Sequence, residues 1–158
     1  MDDRLAARLD ELGIELPALP SPQFSYVPGK VAGDLVYVSG QTPTRDGVPV
    51  YVGRCGDEID IPTGQEAARL TAINLLAELE HVVGLERVAQ IVKLEGFVAA
   101  ADGFVDAPAV VNGASDLLAE VLGDAGQHAR LAIGVSWLPG NAPVELQLIA
   151  QLNSTETG

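Results

Sequence analysis

Residues 129–152 read ARLAIGVSWLPGNAPVELQLIAQL, and the way this stretch alternates decides the fold class. Side chains on a strand point to opposite faces with period two. From Ala129 to Trp137, one face carries Leu131, Ile133, Val135 and Trp137; the other carries Arg130, Ala132, Gly134 and Ser136. From Val144 to Leu152, one face carries Val144, Leu146, Leu148 and Ala150; the other carries Glu145, Gln147 and Ile149. Leu138-Pro139-Gly140-Asn141-Ala142-Pro143 between them is rich in turn residues, so a hairpin centred on Gly140-Asn141 is expected. The apolar faces are expected to lie under helices. The other faces combine Arg130, Glu145 and Gln147 with small residues, a pattern that favours an oligomer interface over a solvated surface.

Working outward, residues 106–123 form a helical pattern. Asp106 stands at the cap position, Pro108 in the first turn, and Val110, Ala114, Leu117, Leu118 and Val121 make the buried stripe before Gly123. Val88–Ala100 reads as a long strand with Val92, Leu94, Gly96 and Val98 on one face. A longer helix is expected from Thr63, where Thr63-Gly64-Gln65-Glu66 has the form of a capping box, to Gly84 as the terminating glycine. Its stripe is Ala68, Ala72, Leu75, Leu76, Leu79 and Val83. Strands are also expected at Phe24–Val27, Asp34–Ser39 and Val48–Val52, with 42–48 as loop. Residues 2–12 suit a short amphipathic helix through Leu5, Leu9 and Leu12, after which Pro17, Pro20 and Pro22 enforce an extended connection. The order β-β-β-α-β-α-β-β, with hairpins at both ends, points to an α+β fold: a mixed sheet with two helices on one face. One domain over 1–158 is expected, with 1–20 as a helical extension and 153–158 as a flexible tail.

Charge narrows the function classes. The formal net charge is −13, and the nine Lys and Arg residues are scattered, none adjacent to another. Phosphate backbones require clustered cations, so nucleic acid is not an expected partner. An anionic membrane surface would repel the chain. The acidic start Met1-Asp2-Asp3 lacks the apolar run of a signal peptide, and no apolar stretch is long enough to span a bilayer, so a cytoplasmic protein is expected. Cys55 is the only cysteine, and His81 and His128 lie far apart, which makes no metal set. Cys55 also lacks a neighbouring base, which argues against a nucleophilic thiol.

Arg130 is the residue of most interest. A guanidinium offers a planar fork matched to a carboxylate. Two readings stand: a structural ion pair within the protein, with Glu145 as the nearest candidate, or a site for a ligand carboxylate. In the expected hairpin Glu145 would lie opposite residues 134–136, too far along the strand to reach Arg130 in the same chain, so the two would meet only between subunits.

Several segments together resemble one family. They are Tyr37-Val38-Ser39-Gly40-Gln41; Ala67-Ala68-Arg69 followed by Asn74-Leu75-Leu76; Val111-Asn112-Gly113-Ala114-Ser115; His128-Ala129-Arg130; and Leu138-Pro139 with Val144-Glu145-Leu146. In order and spacing they resemble the RidA/YjgF proteins, also called L-PSP endoribonuclease-like, in a longer bacterial branch. The resemblance covers residues 24–152. It implies a chorismate-mutase-like fold whose sheets pack into a trimeric barrel with clefts between subunits. It implies a cofactor-free, 2-iminobutanoate/2-iminopropanoate deaminase-like hydrolase that converts enamine and imine carboxylates such as 2-aminoacrylate to 2-keto acids and ammonia. By the same resemblance, a buried Arg130 holds the substrate carboxylate and Glu145 orients water. Tyr26 joins these two as a catalytic residue, and Asn112, Ser39, Gly40 and the backbone at Ala132 bind substrate along the cleft. Tyr26 is open to a second reading as a half-buried strand aromatic, and Asn112 as a local helix residue. Leu131 and Ala132 follow the arginine where archetypal members carry small polar residues, and Gln147 stands where a second glutamate is common. The alternatives are a trimer that binds small carboxylates without catalysis, and a hydrolase or tautomerase for a pathway-specific intermediate.

Overall fold

The computed structural model describes residues 1–21 and 24–154. Pro22 and the end of the expected tail, residues 155–158, lie outside the described residues. The elements are α1 (Asp3–Glu11), β1 (Gly29–Ala32), β2 (Leu35–Gln41), β3 (Thr44–Arg45), β4 (Val48–Pro49), α2 (Ile61–Val82), β5 (Val88–Ala99), α3 (Ala107–Leu122), β6 (Ala129–Val135) and β7 (Val144–Leu152). The five main strands form one mixed sheet in the order β1-β2-β7-β5-β6. All neighbours are antiparallel except β5 and β6, which run parallel because α3 crosses over between them. Helices α2 and α3 pack against each other and cover one sheet face; the opposite face is open.

Burial explains this layering. Leu75, Leu76 and Leu79 of α2 and Val110, Leu117 and Leu118 of α3 meet Val36, Leu94, Val98, Leu146 and Leu148 of the sheet, all 3% exposed or less. α1 adds Leu5 and Leu9 to this core, and its Arg8 Nε–H donates to the Glu120 carbonyl of α3 at 2.8 Å.

Several expectations need correction. β6 and β7 do not form a hairpin, because β5 lies between them. A turn joins strands in sequence, but the long apolar β5 offers each of them a better-buried partner. The two faces of β6 are also reversed. Leu94, Gly96 and Val98 on the helix side of β5 are in register with Arg130, Ala132 and Gly134. Leu131, Ile133 and Val135 therefore lie on the open face. As an edge strand, β6 is covered by α3 only along its inner margin, so its apolar set is not held in the core. β7 keeps the expected orientation, with Val144, Leu146, Leu148 and Ala150 buried.

The first strand is β1, while 24–27 is an irregular bend. Thr44–Arg45 and Val48–Pro49 make a small separate ribbon around Asp46-Gly47, both at positive φ. α2 starts two residues before Thr63. Asp60 is its cap, its carboxylate accepting the Thr63 N–H at 2.9 Å, with Pro62 in the first turn. On β5, register shifts between Val88 and Gln90 and between Ile91 and Lys93 put Ile91 in the core and leave Val92 exposed.

Candidate functional site

The predicted site residues fall into two groups on opposite faces of one sheet. The first surrounds Arg130. Helix α3 runs beside the N-terminal half of β6, bringing three acceptors to the guanidinium. Nη1 donates to Asn112 Oδ1 at 2.7 Å and to Ser115 Oγ at 3.2 Å, and Nη2 donates to the Pro108 carbonyl at 3.2 Å. Ala132, two residues on, shares this face. Among the described residues no carboxylate pairs with Arg130. A guanidinium has five N–H donors. Three are used, so one on Nε and one on Nη2 remain, a number that suits the two oxygens of a carboxylate. Arg130 is exposed in the single chain, against the expectation of burial, because β6 is the edge of the sheet and nothing among the described residues lies beyond it.

The second group surrounds Gly40. β2 is irregular between Val38 and Gln41, where Val38 pairs with Leu148 and Gln41 with Leu146. The Ser39-Gly40 step bulges there. Ser39 uses both polar groups to hold the 27–28 backbone: its hydroxyl donates to the Val27 carbonyl at 2.7 Å and its N–H to the Pro28 carbonyl at 2.8 Å. Tyr26 is thereby kept over the bulge. It lines a cavity of about 230 Å³ with Phe24, Gly40, Thr42 and Glu78. On its other flank Gly40 joins Glu145, Phe97 and Leu138 around a second cavity of about 280 Å³. Gly40 leaves room for the carboxylate: a Cβ at this position would lie 2.6 Å from Glu145 Oε1 and push it aside. Glu145 is half-buried, and among the described residues its carboxylate has no hydrogen-bond or ion-pair partner. Burial pushes its pKa above the usual carboxylate value.

One chain does not join the two groups. Arg130 is in register with Leu94, and Leu94 with Leu148; Glu145 lies three residues from Leu148 along β7 and points to the other face. That places it about 10 Å across and about 10 Å along the sheet from Arg130. The reading of Arg130 and Glu145 as an ion pair within one chain is excluded by this geometry.

Three buried polar side chains were given no site role in the sequence. Thr71, Asn74 and Glu78 form a row on α2, each at most 4% exposed. Asn74 Nδ2 donates to the Thr42 and Thr44 carbonyls, both at 3.0 Å, which fixes the loop after the bulge. Glu78 Oε2 is buried without a partner among the described residues. Desolvation raises the Glu78 pKa, with His81 opposing the shift. The signal in the sequence was their spacing of three and four, one position out of step with the apolar stripe. His128 and Ser115, also given no site role in the sequence, lie within hydrogen-bonding distance of each other beside Arg130.

Comparison with known proteins covers the same span. A family model described as "YjgF/chorismate_mutase-like, putative endoribonuclease" matches residues 6–152. Protein TCP17 of Trypanosoma cruzi is 40% identical over 153 residues, 96% of this chain and 96% of its own. The crystal structure of Atu1372 from Agrobacterium tumefaciens superposes with a TM-score of 0.89 at 41% identity, covering 96% of this chain and 94% of that one. A structure from Shewanella oneidensis gives a TM-score of 0.90 at 34% identity, covering 94% and 99%. With sequence and fold matched over almost its full length, the chain belongs to the YjgF/chorismate mutase-like family.

Proposed function

We propose that the protein hydrolyses small enamine and imine carboxylates, such as 2-aminoacrylate, to 2-keto acids and ammonia in clefts between the subunits of a homotrimer. The observation that carries this reading is that Arg130 has no carboxylate partner among the described residues and two N–H donors unused. The substrate carboxylate binds that fork, with Asn112 and the Ala132 backbone beside it. The enamine tautomerises to the imine, and water attacks the imine carbon. Glu145 of the neighbouring copy takes a proton from that water, and ammonia leaves as the carbonyl forms. Burial raises the Glu145 pKa, which makes its carboxylate a better proton acceptor than a solvated one and able to return the proton to the leaving nitrogen. Tyr26 and Gly40 wall the cleft on the Glu145 side, and Ser39 holds that wall in place. A homotrimer fits the geometry of one chain: the two groups face away from each other, and they converge when the β6 edge of one copy packs on the open face of another. Leu131 and Ile133, 39% and 41% exposed on that face, suit such packing.

RNA cleavage is not proposed, because a net charge of −13 with scattered cations opposes a phosphate backbone. Among the described residues, no helix is long and apolar enough to cross a membrane.

The test is ammonia release from 2-aminoacrylate generated in situ. Arg130→Ala is expected to lower kcat/KM by roughly a hundredfold or more, the scale of losing a charged binding and orienting contact. Equal turnover by the two proteins removes the proposal. Tight binding of a 2-keto acid with no turnover by either would leave a carboxylate-binding trimer instead.

A further inference from the structure

Outside the groups assigned so far, one chain of hydrogen bonds ends on the key guanidinium. Arg130 Nη1 donates to Ser115 Oγ at 3.2 Å. Ser115 Oγ lies 3.0 Å from His128 Nε2, and His128 Nδ1 lies 2.7 Å from the Gly126 carbonyl. For a neutral ring, the direction of every bond follows from that last contact. A carbonyl only accepts, so Nδ1 carries the ring hydrogen. Neutral imidazole has one N–H, so Nε2 is an acceptor and the Ser115 hydroxyl donates to it. The lone pairs of Ser115 Oγ are then turned toward Arg130, which has only hydrogens to offer.

The relay sits on three different pieces of chain. Ser115 is on α3, three residues after Asn112 and so on the same helix face. His128 is in the segment entering β6. Gly126 lies in the tight turn after α3, where a Cβ would fall on the Leu118 carbonyl; a side chain there would displace the turn and the carbonyl that orients the ring. Serine and histidine are both half-buried.

We infer that Ser115 and His128 are positioning residues for Arg130: the Gly126 carbonyl sets the histidine tautomer, the tautomer sets the serine hydroxyl, and the hydroxyl fixes the guanidinium. With Asn112, Ser115 consumes both Nη1 hydrogens, which assigns the remaining donors on Nε and Nη2 to the ligand. Without the relay, the guanidinium keeps Asn112 on Nη1 and the Pro108 carbonyl on Nη2 and loses the third contact that fixes its plane. The relay is a property of the chain alone; its use in gripping a carboxylate rests on the function proposed above.

The experiment uses the full-length protein labelled with ¹⁵N. Long-range ¹H–¹⁵N correlation is expected to show His128 as the Nδ1–H tautomer. The Arg130 Nη signals are expected to be resolved by slowed guanidinium rotation. Ser115→Ala and His128→Leu should collapse those signals. Ser115→Thr, which keeps the hydroxyl, should restore them. With 2-oxobutanoate as the probe, Ser115→Ala and His128→Leu should weaken binding roughly fivefold to tenfold, the effect of losing one orienting hydrogen bond. A purely structural role would lower Tm without changing Arg130 rotation or probe affinity relative to wild type. An Nε2–H tautomer, or Arg130 signals unaltered in Ser115→Ala, overturns the inference. Should 2-oxobutanoate fail to bind wild type while the Arg130 signals respond as described, the positioning role stands and the carboxylate reading fails.

Discussion

Gly40 and Glu145 show how one missing side chain makes room for another. The bulge at Ser39-Gly40 brings the backbone so close to Glu145 that a methyl group would lie 2.6 Å from its Oε1. The obstacle is the far end of a flexible side chain, so the fold accommodates it and the carboxylate moves. Gly40→Ala is therefore expected to keep its Tm within a few degrees and lose turnover by roughly tenfold to a hundredfold, as misplacement of an acid–base group does. Unchanged turnover would show that the position of Glu145 is immaterial. Glu78 carries a pH prediction. Desolvation raises its folded pKa above 4.5, so between that value and the folded pKa the native state binds more protons than the unfolded chain. Stability from this group is greatest at low pH and falls as pH rises through that window. Glu78→Gln removes the effect, so denaturant titrations should show the variant gaining on wild type as pH rises from about 4.5 through the raised folded pKa. A constant difference across that range would mean that Glu78 titrates normally.

At the scale of elements, what the sequence revealed depended on burial from both sides. β7 and α3 were legible because every second residue of β7, and every third or fourth of α3, meets a covered surface. β6 alternates just as cleanly, but Leu131 and Ile133 face away from the helices, and period two alone does not say which face is covered. The expected hairpin failed for a related reason: Pro139-Gly140-Asn141 reports a change of direction and not which strand lies alongside. Arg130 stood out in the sequence as a lone cation among apolar and small residues, whereas Asn112 entered only through the family resemblance. The parts of the site that depend on distant chain were not legible: the contact between Ser115 and His128 and the burial of Glu78 come from the folded arrangement. The contact between α2 and α3 offers a test of packing. A Cβ on Gly113 would fall on the Gln65 carbonyl oxygen of α2, which is backbone and has no room to yield. Gly113→Ala is expected to cost about 1–3 kcal/mol or more by thermal or chemical denaturation. A loss within ordinary surface scatter would show that the helices are not in such close contact.

For the whole molecule, the open sheet face is the largest feature left unexplained by a single chain. It carries Tyr37, Phe97, Leu131 and Ile133 together with Glu145, Glu95 and Gln147, an apolar centre mixed with polar groups of the kind found in subunit interfaces. Sedimentation or light scattering should give three times the chain mass of 16.4 kDa. Ile133→Asp should shift the protein toward monomer and reduce turnover with it, since the two halves of the site would separate. A wild-type monomer at micromolar concentration that remained active would refute the shared cleft.

The strand order has a consequence for biosynthesis. β7 is the last of the five strands to leave the ribosome, yet it occupies the middle of the sheet between β2 and β5. Until it emerges, the nascent chain holds two unconnected fragments, β1–β2 and β5–β6, each with an unsatisfied edge that invites intermolecular pairing. Translation arrest or a nonsense codon before residue 144 should therefore yield aggregation-prone or chaperone-bound product and not a smaller soluble fold.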